Sequence, residues 1–360
     1  MSTYLVTGAT GFVGGALTQR LLGEGHAVRV LGRAESREPE SDRAVSVHVA
    51  SLGDPDALAE AAQGVDVLYH CAAENSPRAP ASAFSWINVA GTENVINAAR
   101  HAGVRRVVHL SCTDVALANR DRMSWKETQQ LGEEPLDALS RSKLLAEELA
   151  LHANDASLQV CVLRPAWVWG PGDRRTLPAL CREDAQGGVQ LCGDGSNLVP
   201  TVHVDNLVDA LLLAADADRA PGRAYHVLDG EVLSAREFFD QLCKSLGLRR
   251  PARGIYALAY ARAWWRERLG LPGLARADVV RRGRSALFDG VAAVHDLGYE
   301  PRIGVERGMA ELADWCAQLG GPAAIARTER MPASDADVNA LVRIADAAAG
   351  AAPSSNPVRD

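Results

Sequence analysis

A strand-sized apolar run, Tyr4-Leu5-Val6, leads at once into Thr7-Gly8-Ala9-Thr10-Gly11-Phe12-Val13-Gly14, and a helical pattern follows over Gly15–Leu22. No other stretch restricts the fold as much. Gly8 permits a tight turn, Gly11 lets backbone N–H groups approach a pyrophosphate, and Gly14 lets the helix pack closely on the strand. The helix start then offers unpaired N–H donors and a partial positive charge to phosphates. The residues expected to hold a nucleotide are therefore Gly8, Thr10, Gly11, Phe12, Val13 and Gly14. The first ~115 residues are expected to build a dinucleotide-binding Rossmann unit.

The pattern beyond the loop agrees. Candidate strands at Val28–Leu31, Val45–Val49, Val65–His70, Arg106–Ser111 and Gln159–Arg164 alternate with helical patterns at Asp56–Ala62, Asn88–His101 and Leu139–His152. Such alternation predicts an α/β fold, a doubly wound parallel sheet with helices on both faces. After Pro171 the alternation breaks down. A strand at Ala224–Leu228 mixes with helices at Val204–Ala214, Ala235–Leu246 and Arg307–Leu319. This predicts a dinucleotide-binding domain over 1–170 with later chain returning to it. A smaller mixed substrate lobe over 171–320 and an Ala-, Pro- and Ser-rich, partly disordered tail over 321–360 complete the expected organisation. That tail is expected to carry one loose helix at Ser334–Ala349 and disorder after Gly350. Tyr256–Leu274, with Trp264 and Trp265 among arginines, reads as a helix lining a substrate pocket, with a membrane-surface helix as the alternative.

Composition excludes some classes. No apolar run approaches the ~20 residues of a membrane span. The start shows no basic leader or cleavable apolar region, so a cytoplasmic location is expected. Seven cysteines without CxxC spacing fit reduced thiols rather than a disulfide frame. A net charge of −7 argues against a nucleic-acid partner. The nine histidines show no metal-site spacing, so no metal is expected. At the end of the second strand, Leu31-Gly32-Arg33 offers no carboxylate for ribose hydroxyls. Arg33, with Arg37 near, points instead to the 2′-phosphate of NADP(H), with NAD(H) the alternative.

Further segments occur in a fixed order. After the glycine loop come Asn88-Val-Ala-Gly91-Thr92, Arg164-Pro165, Val168-Trp169-Gly170-Pro171-Gly172-Asp173, His203-Val204-Asp205-Asn206, Phe288-Asp289 and Leu297-Gly298-Tyr299-Glu300-Pro301. Over about residues 3–320 this resembles the extended short-chain dehydrogenase/reductases of the NAD-dependent epimerase/dehydratase superfamily. The likeness is strongest to the 3β-hydroxysteroid dehydrogenase branch, with its bacterial 2-alkyl-3-oxoalkanoate reductases. The resemblance implies a nicotinamide cofactor and a hydrophobic ketone, alcohol or 3-oxo acid as substrate. It also implies a homodimer built on the helices after Asn88 and around Lys143.

The family's chemistry uses a Tyr phenol as proton donor and a Lys four residues later on the nicotinamide ribose. A Ser or Thr at the end of the fifth strand holds the substrate oxygen. Here Leu139-Ser140-Arg141-Ser142-Lys143 supplies the Lys, but Leu139 stands where the Tyr is expected. In Ser111-Cys112-Thr113, Cys112 falls on the usual serine position, and Thr113 takes it if the register shifts by one. Lys143, Thr113 and Cys112 are thus the catalytic candidates. Losing a positioned general acid costs ~10²–10⁴-fold in rate. Another group must supply the proton: a water, Lys143 itself, or Tyr256 or Tyr260. Otherwise the reaction is redox-neutral (an isomerase, cyclase or lyase), or the protein is a non-catalytic NADP(H) sensor. Ser140-x-x-Lys143 also has the spacing of a Ser–Lys nucleophile pair, but ribose binding already accounts for the lysine.

Overall fold

Strands buried at nearly every position need cover on both faces, and the central strands of this protein have it. The computed structural model describes residues 2–32, 45–76, 79–129, 135–271 and 273–328. The chain runs β1 (Thr3–Thr7), α1 (Phe12–Gly23), β2 (Ala27–Gly32), β3 (Val45–Val49), α2 (Pro55–Ala62) and β4 (Val67–His70). Next come α3 (Ala81–Phe84), a π-helical turn (Ser85–Ala90), α4 (Gly91–His101) and β5 (Arg106–Leu110). There follow β6 (Arg122–Trp125), α5 (Ala138–His152), β7 (Gln159–Pro165), β8 (Trp167–Trp169), α6 (Thr176–Ala185), β9 (Leu198–Val199), β10 (Thr201–His203), α7 (Val204–Asp216) and β11 (Ala224–Val227). The chain continues through β12 (Leu233–Ser234), α8 (Ala235–Ser245), α9 (Tyr256–Leu269), α10 (Arg276–Gly283), β13 (Ala286–Phe288), α11 (Val291–Leu297), α12 (Val305–Gln318) and α13 (Pro322–Arg327).

Seven strands form one parallel sheet in the order β11-β7-β5-β4-β1-β2-β3. Side chains alternate across it. Tyr4, Val6, Val28 and Tyr69 join Leu17, Leu21, Leu207 and Leu211 on one face. Leu5, Leu68, Val107 and Val160 join Leu58, Val95 and Ala150 on the other. The strand order reverses between β1 and β4, and the glycine loop leaves β1 at that point, where doubly wound sheets bind ligands. The seventh strand, β11, comes from late in the chain and pairs with β7. The strands at Leu198, Leu233 and Ala286 are too short to carry a period, and the sequence pattern passed over them. The expected tail helix at Ser334–Ala349 and the disorder after Gly350 lie outside the described residues.

Two polar joints hold the layers together. Asp229 accepts from Trp169 Nε1 at 2.8 Å, Thr201 Oγ1 at 3.0 Å, His203 N at 2.8 Å and Asn206 Nδ2 at 2.9 Å. It ties the sheet to a second core of Trp169, Leu177, Leu180, Phe238, Phe239 and Leu312. The other joint is a buried ion pair. Arg164 Nε donates to Glu147 Oε1 at 2.9 Å and Oε2 at 3.1 Å, pinning α5 to the end of β7. Removing one partner of such a pair strands the other charge and costs ~3–5 kcal/mol. Glu147→Ala is therefore expected to lose that much stability in urea unfolding; a loss below ~1 kcal/mol would show that solvent or another group compensates Arg164.

Candidate active site

The loop after β1 is shaped by contact. Gly8 adopts φ +74°, and a Cβ there would lie 2.7 Å from Ala72 N. A Cβ on Gly14 would lie 2.3 Å from Gly8 O, so α1 can approach the turn only through a glycine. Gly11 caps α1 with extended backbone and donates its N–H to Gly8 O at 2.9 Å. Gly8, Thr10, Gly11, Phe12, Val13 and Gly14 all border one cleft of about 3220 Å³. The cleft passes Leu31, Gly32 and Ser51, crosses the ends of β4 and β5, and reaches α6 and α9. Its length and glycine floor fit a dinucleotide with a substrate beyond it. Arg33 and Arg37 lie outside the described residues.

Below the loop, a chain of hydrogen bonds sets one histidine's state. Ala72 N donates to Thr7 Oγ1 at 3.2 Å, and Thr7 Oγ1 lies 2.7 Å from His70 Nδ1. On the other side His70 Nε2 lies 2.9 Å from Thr92 Oγ1, which itself donates to Asn88 O at 2.6 Å. Each hydroxyl has one proton, so Thr7 donates to Nδ1 and the ring carries its hydrogen on Nε2. Burial, with Lys143 adding repulsion, pushes His70 down to about 3. Burial also holds His109 well below its usual value, and neither of its ring nitrogens has a hydrogen-bond partner.

These shifts set an acid limit. Free histidine titrates near ~6.5. A folded-state value depressed below that contributes stability that is complete above ~6.5 and lost as pH falls towards the folded value. For His70 the window runs from 6.5 to about 3. Each such histidine costs up to ~1.4 kcal/mol per pH unit within its window. Stability in urea is expected to fall steadily from pH 7 to pH 5, with a shallower slope in His70→Gln. A flat profile in the unaltered protein would mean that both rings accept protons in the fold.

Helix α5, which carries Leu139 and Lys143, starts at Asp137, whose side chain accepts from Ser140 N at 2.8 Å. Leu139 and Lys143, one turn apart, both border the cleft. Lys143 is buried and donates from Nζ to Leu110 O at 2.6 Å, the last carbonyl of β5. Burial lowers its pKa, against partial support from Cys112, Cys71 and Glu147. Cys112 and Thr113 border the cleft at the end of β5, and burial pushes the Cys112 thiol up to about 12. A thiol so protonated is a poor nucleophile. Tyr256 donates to Asn119 Oδ1 under the Arg284 guanidinium and stacks on Tyr260; neither ring borders the cleft. The expectation that one of them serves as proton donor therefore finds no geometric support. Trp167 forms cleft wall, whereas Trp169 is core. His203 Nδ1 accepts from Asp205 N at 3.3 Å and caps α7. Ligand atoms of His203, Asp205 and Glu311 do lie within 4.8 Å of one another, but the cap uses one of the two ring nitrogens.

One site residue, Arg281, escaped the sequence reading, and the surroundings of Asn88 and Ser111 were not legible in it. Arg281 on α10 reaches three carboxylates, Asp114, Asp137 and Asp278, with Nη2 on Asp137 Oδ2 at 2.7 Å. It fastens α10 to the N-terminus of α5 and to the turn after β5. Asp278 is a neighbour on the same helix, but Asp114 and Asp137 come from distant segments, so no local spacing announces the clamp. Although burial alone raises Asp137, Arg281 and the Ser140 bonds hold it below the usual carboxylate range. Asn88, in the π-helical turn, donates to Ser142 Oγ at 2.9 Å and to Glu74 O at 3.0 Å, and accepts from Glu74 N at 2.7 Å. It braces α5 against the loop after β4. Ser111, beside Cys112, also borders the cleft, and its buried Oγ has no hydrogen-bond partner.

Comparison with known proteins agrees with the fold. Residues 4–227 match the model of the NAD dependent epimerase/dehydratase family. A 2-alkyl-3-oxoalkanoate reductase of Stenotrophomonas maltophilia is 34% identical over 323 residues, 86% of this chain and 97% of the relative. A 3 beta-hydroxysteroid dehydrogenase/Delta 5-->4-isomerase of Mycobacterium tuberculosis is 31% identical, covering 88% of this chain and 90% of the relative. Among solved structures, MoeE5 in complex with UDP-glucuronic acid and NAD superposes with a TM-score of 0.70 at 28% identity, over 88% of this chain and 99% of that one. Fold, loop and relatives converge: the chain belongs to the NAD dependent epimerase/dehydratase family, within the extended short-chain dehydrogenase/reductases.

Proposed function

We propose that this protein is an NADP(H)-dependent reductase of a hydrophobic ketone or 3-oxo acid in which Lys143 replaces a phenol as proton source. One observation carries the reading. At the strand ends, the cleft that holds the glycine loop also holds a buried lysine, and no tyrosine or histidine borders that cleft among the described residues. Gly8, Thr10, Gly11, Phe12, Val13 and Gly14 would hold the pyrophosphate, and Lys143 the ribose. The nicotinamide, when bound, supplies hydride to the carbonyl carbon.

The protein supplies the proton. An ammonium has three N–H donors, and Leu110 O takes one. Desolvation makes the remaining two more acidic than those of a solvated lysine. Transfer of one proton to the carbonyl oxygen leaves a neutral amine, which regains its proton from water in the open cleft. Ketone, hydride and proton then balance as the alcohol. Thr113, or Cys112 beside it, is assigned to the substrate oxygen. Arg175 on the cleft wall suits the carboxylate of a 3-oxo acid. The names of the relatives favour the same substrate class. The absence of a carboxylate in Leu31-Gly32-Arg33 supports NADP(H) over NAD(H). The same reading makes residues 171–320 the substrate lobe, places a homodimer contact on α4 and α5, and puts the protein in the cytoplasm.

The missing phenol also favours a redox-neutral reaction, and one experiment separates the two. NADPH and NADH are titrated separately against tryptophan fluorescence, and a ketone and 3-oxo-acid series is then followed at the NADPH absorbance. NADPH is expected to bind at least ~10-fold tighter, the size of one lost charged contact, with one NADPH consumed per alcohol formed. Product without loss of absorbance would establish the redox-neutral reaction. Failure of both nucleotides to bind would overturn the reductase reading and leave cofactor-free, redox-neutral chemistry in the cleft.

A further inference from the structure

Helix α9 carries apolar side chains on two opposite faces. Inward, Tyr256, Ala259, Tyr260 and Ala263 pack against Cys192 and Val279. Outward, Leu258, Trp265 and Leu269 recur at i, i+7 and i+11, the spacing of a single helical face. Their exposures are 57%, 57% and 64%. Ile255 and Leu271 extend the stripe at both ends and are equally exposed. Trp264 stands edge-on to Trp265 with ring centroids 4.8 Å apart.

Charge identifies what covers this face. From residue 253 to 271 there are four arginines, Arg253, Arg262, Arg266 and Arg268, against one carboxylate, Glu267, in a chain of net charge −7. Glu267 is already paired with Arg276. Arg268 lies over the Trp264 ring, and none of the four arginines forms a salt bridge among the described residues. Two copies of this chain meeting across α9 would set arginine against arginine. An anionic surface meets no such repulsion. At 14 residues the helix is ~21 Å long. No described helix is long and apolar enough to cross a membrane, so α9 suits the plane of an interface, with tryptophan and leucine below and arginine at headgroup level.

We propose that α9 docks this protein onto an anionic phospholipid bilayer. The cleft adds a reason. Ile255, Leu258, Arg262 and Arg266 line it from the same helix, so the stripe that meets the bilayer runs into the rim of the cavity. An amphiphile held in the leaflet that α9 contacts passes from lipid to cleft along α9 without crossing water. The docking itself is independent of which reaction the cleft performs.

The test is flotation of the full-length protein with phosphatidylcholine vesicles and with vesicles containing 30% phosphatidylglycerol. Binding is expected to the anionic vesicles alone, to weaken as salt rises, and to fall at least ~10-fold in the double variant Trp265→Glu, Leu269→Glu. Both side chains are exposed and lie off the cleft, so that variant should keep its circular dichroism, melting temperature and turnover of a short, water-soluble ketone. Arg268→Glu provides a second probe that leaves the apolar stripe in place, and it should flatten the salt dependence. No binding to anionic vesicles would overturn the proposal, as would equal binding by the double variant. So would a dimer in light scattering that the double variant converts to monomer, because the stripe would then be a contact between copies.

Discussion

Lys143→Met is expected to lower kcat by ~10²–10⁴-fold, the loss that follows removal of a positioned proton donor, while the melting temperature holds or rises. The stability side follows from burial. Lys143 is nine-tenths buried, with one hydrogen bond to a carbonyl. Replacing a buried charge with an apolar chain of similar volume is neutral or stabilising when no partner charge is stranded, and Leu110 O is a carbonyl, not a charge. The kinetic side follows from the cleft's inventory at the strand ends. The thiols of Cys71 and Cys112 are both pushed up to about 12 by burial, and Asp114 is engaged by Arg281. None of these replaces an ammonium as proton source near neutral pH. Steady-state kinetics with NADPH, alongside a thermal melt, checks both halves. A kcat within about threefold of the unaltered protein, less than any positioned acid contributes, would remove Lys143 from the proton path.

Leu139→Tyr is expected to move the rate in the opposite direction, raising kcat by ~10²–10⁴-fold on a ketone that the protein already reduces slowly. Leu139 sits one helical turn before Lys143, half-buried, with its side chain on the cleft. A phenol there faces the same volume, and the neighbouring ammonium lowers its pKa from ~10. The Oγ of Ser142, which donates to Leu139 O at 2.8 Å, fixes the backbone at that turn whichever side chain it carries. The pH–rate profile should gain a basic limb from the new phenol. A gain in ketone reduction would show that the proton step limits the unaltered protein. An unchanged rate with intact NADPH binding would mean that the chemistry does not wait for a proton, which favours a redox-neutral reaction.

The glycine loop, the alternating strands and the lysine helix are all legible along the chain because their causes are local. A turn that admits no Cβ, strands apolar at successive positions and a 3.6-residue period each operate over a few residues. The Rossmann sheet follows from them, and helix ends agree within a few residues: Leu139–His152 from the pattern against Ala138–His152 in the structure. The same locality showed Lys143 beside Leu139.

What the chain order conceals depends on approach between distant segments. Arg281 finds Asp114 across 167 positions and Asp137 across 144, so no window reveals that α10 clamps the start of α5. Tyr256 looks from sequence like a spare phenol, yet the packing of α9 turns it onto Asn119 and off the cleft. The alternative of lining a pocket or meeting a membrane was likewise beyond the sequence, since it depends on which sides of α9 the remainder of the fold covers. Sequence by itself determined the sheet and the glycine loop, and set Leu139 one helical turn before Lys143. Tertiary structure alone decided which charges are compensated, which phenols face the cleft and which apolar stripe stays in water, because burial and Coulomb interaction depend on distance in space rather than along the chain.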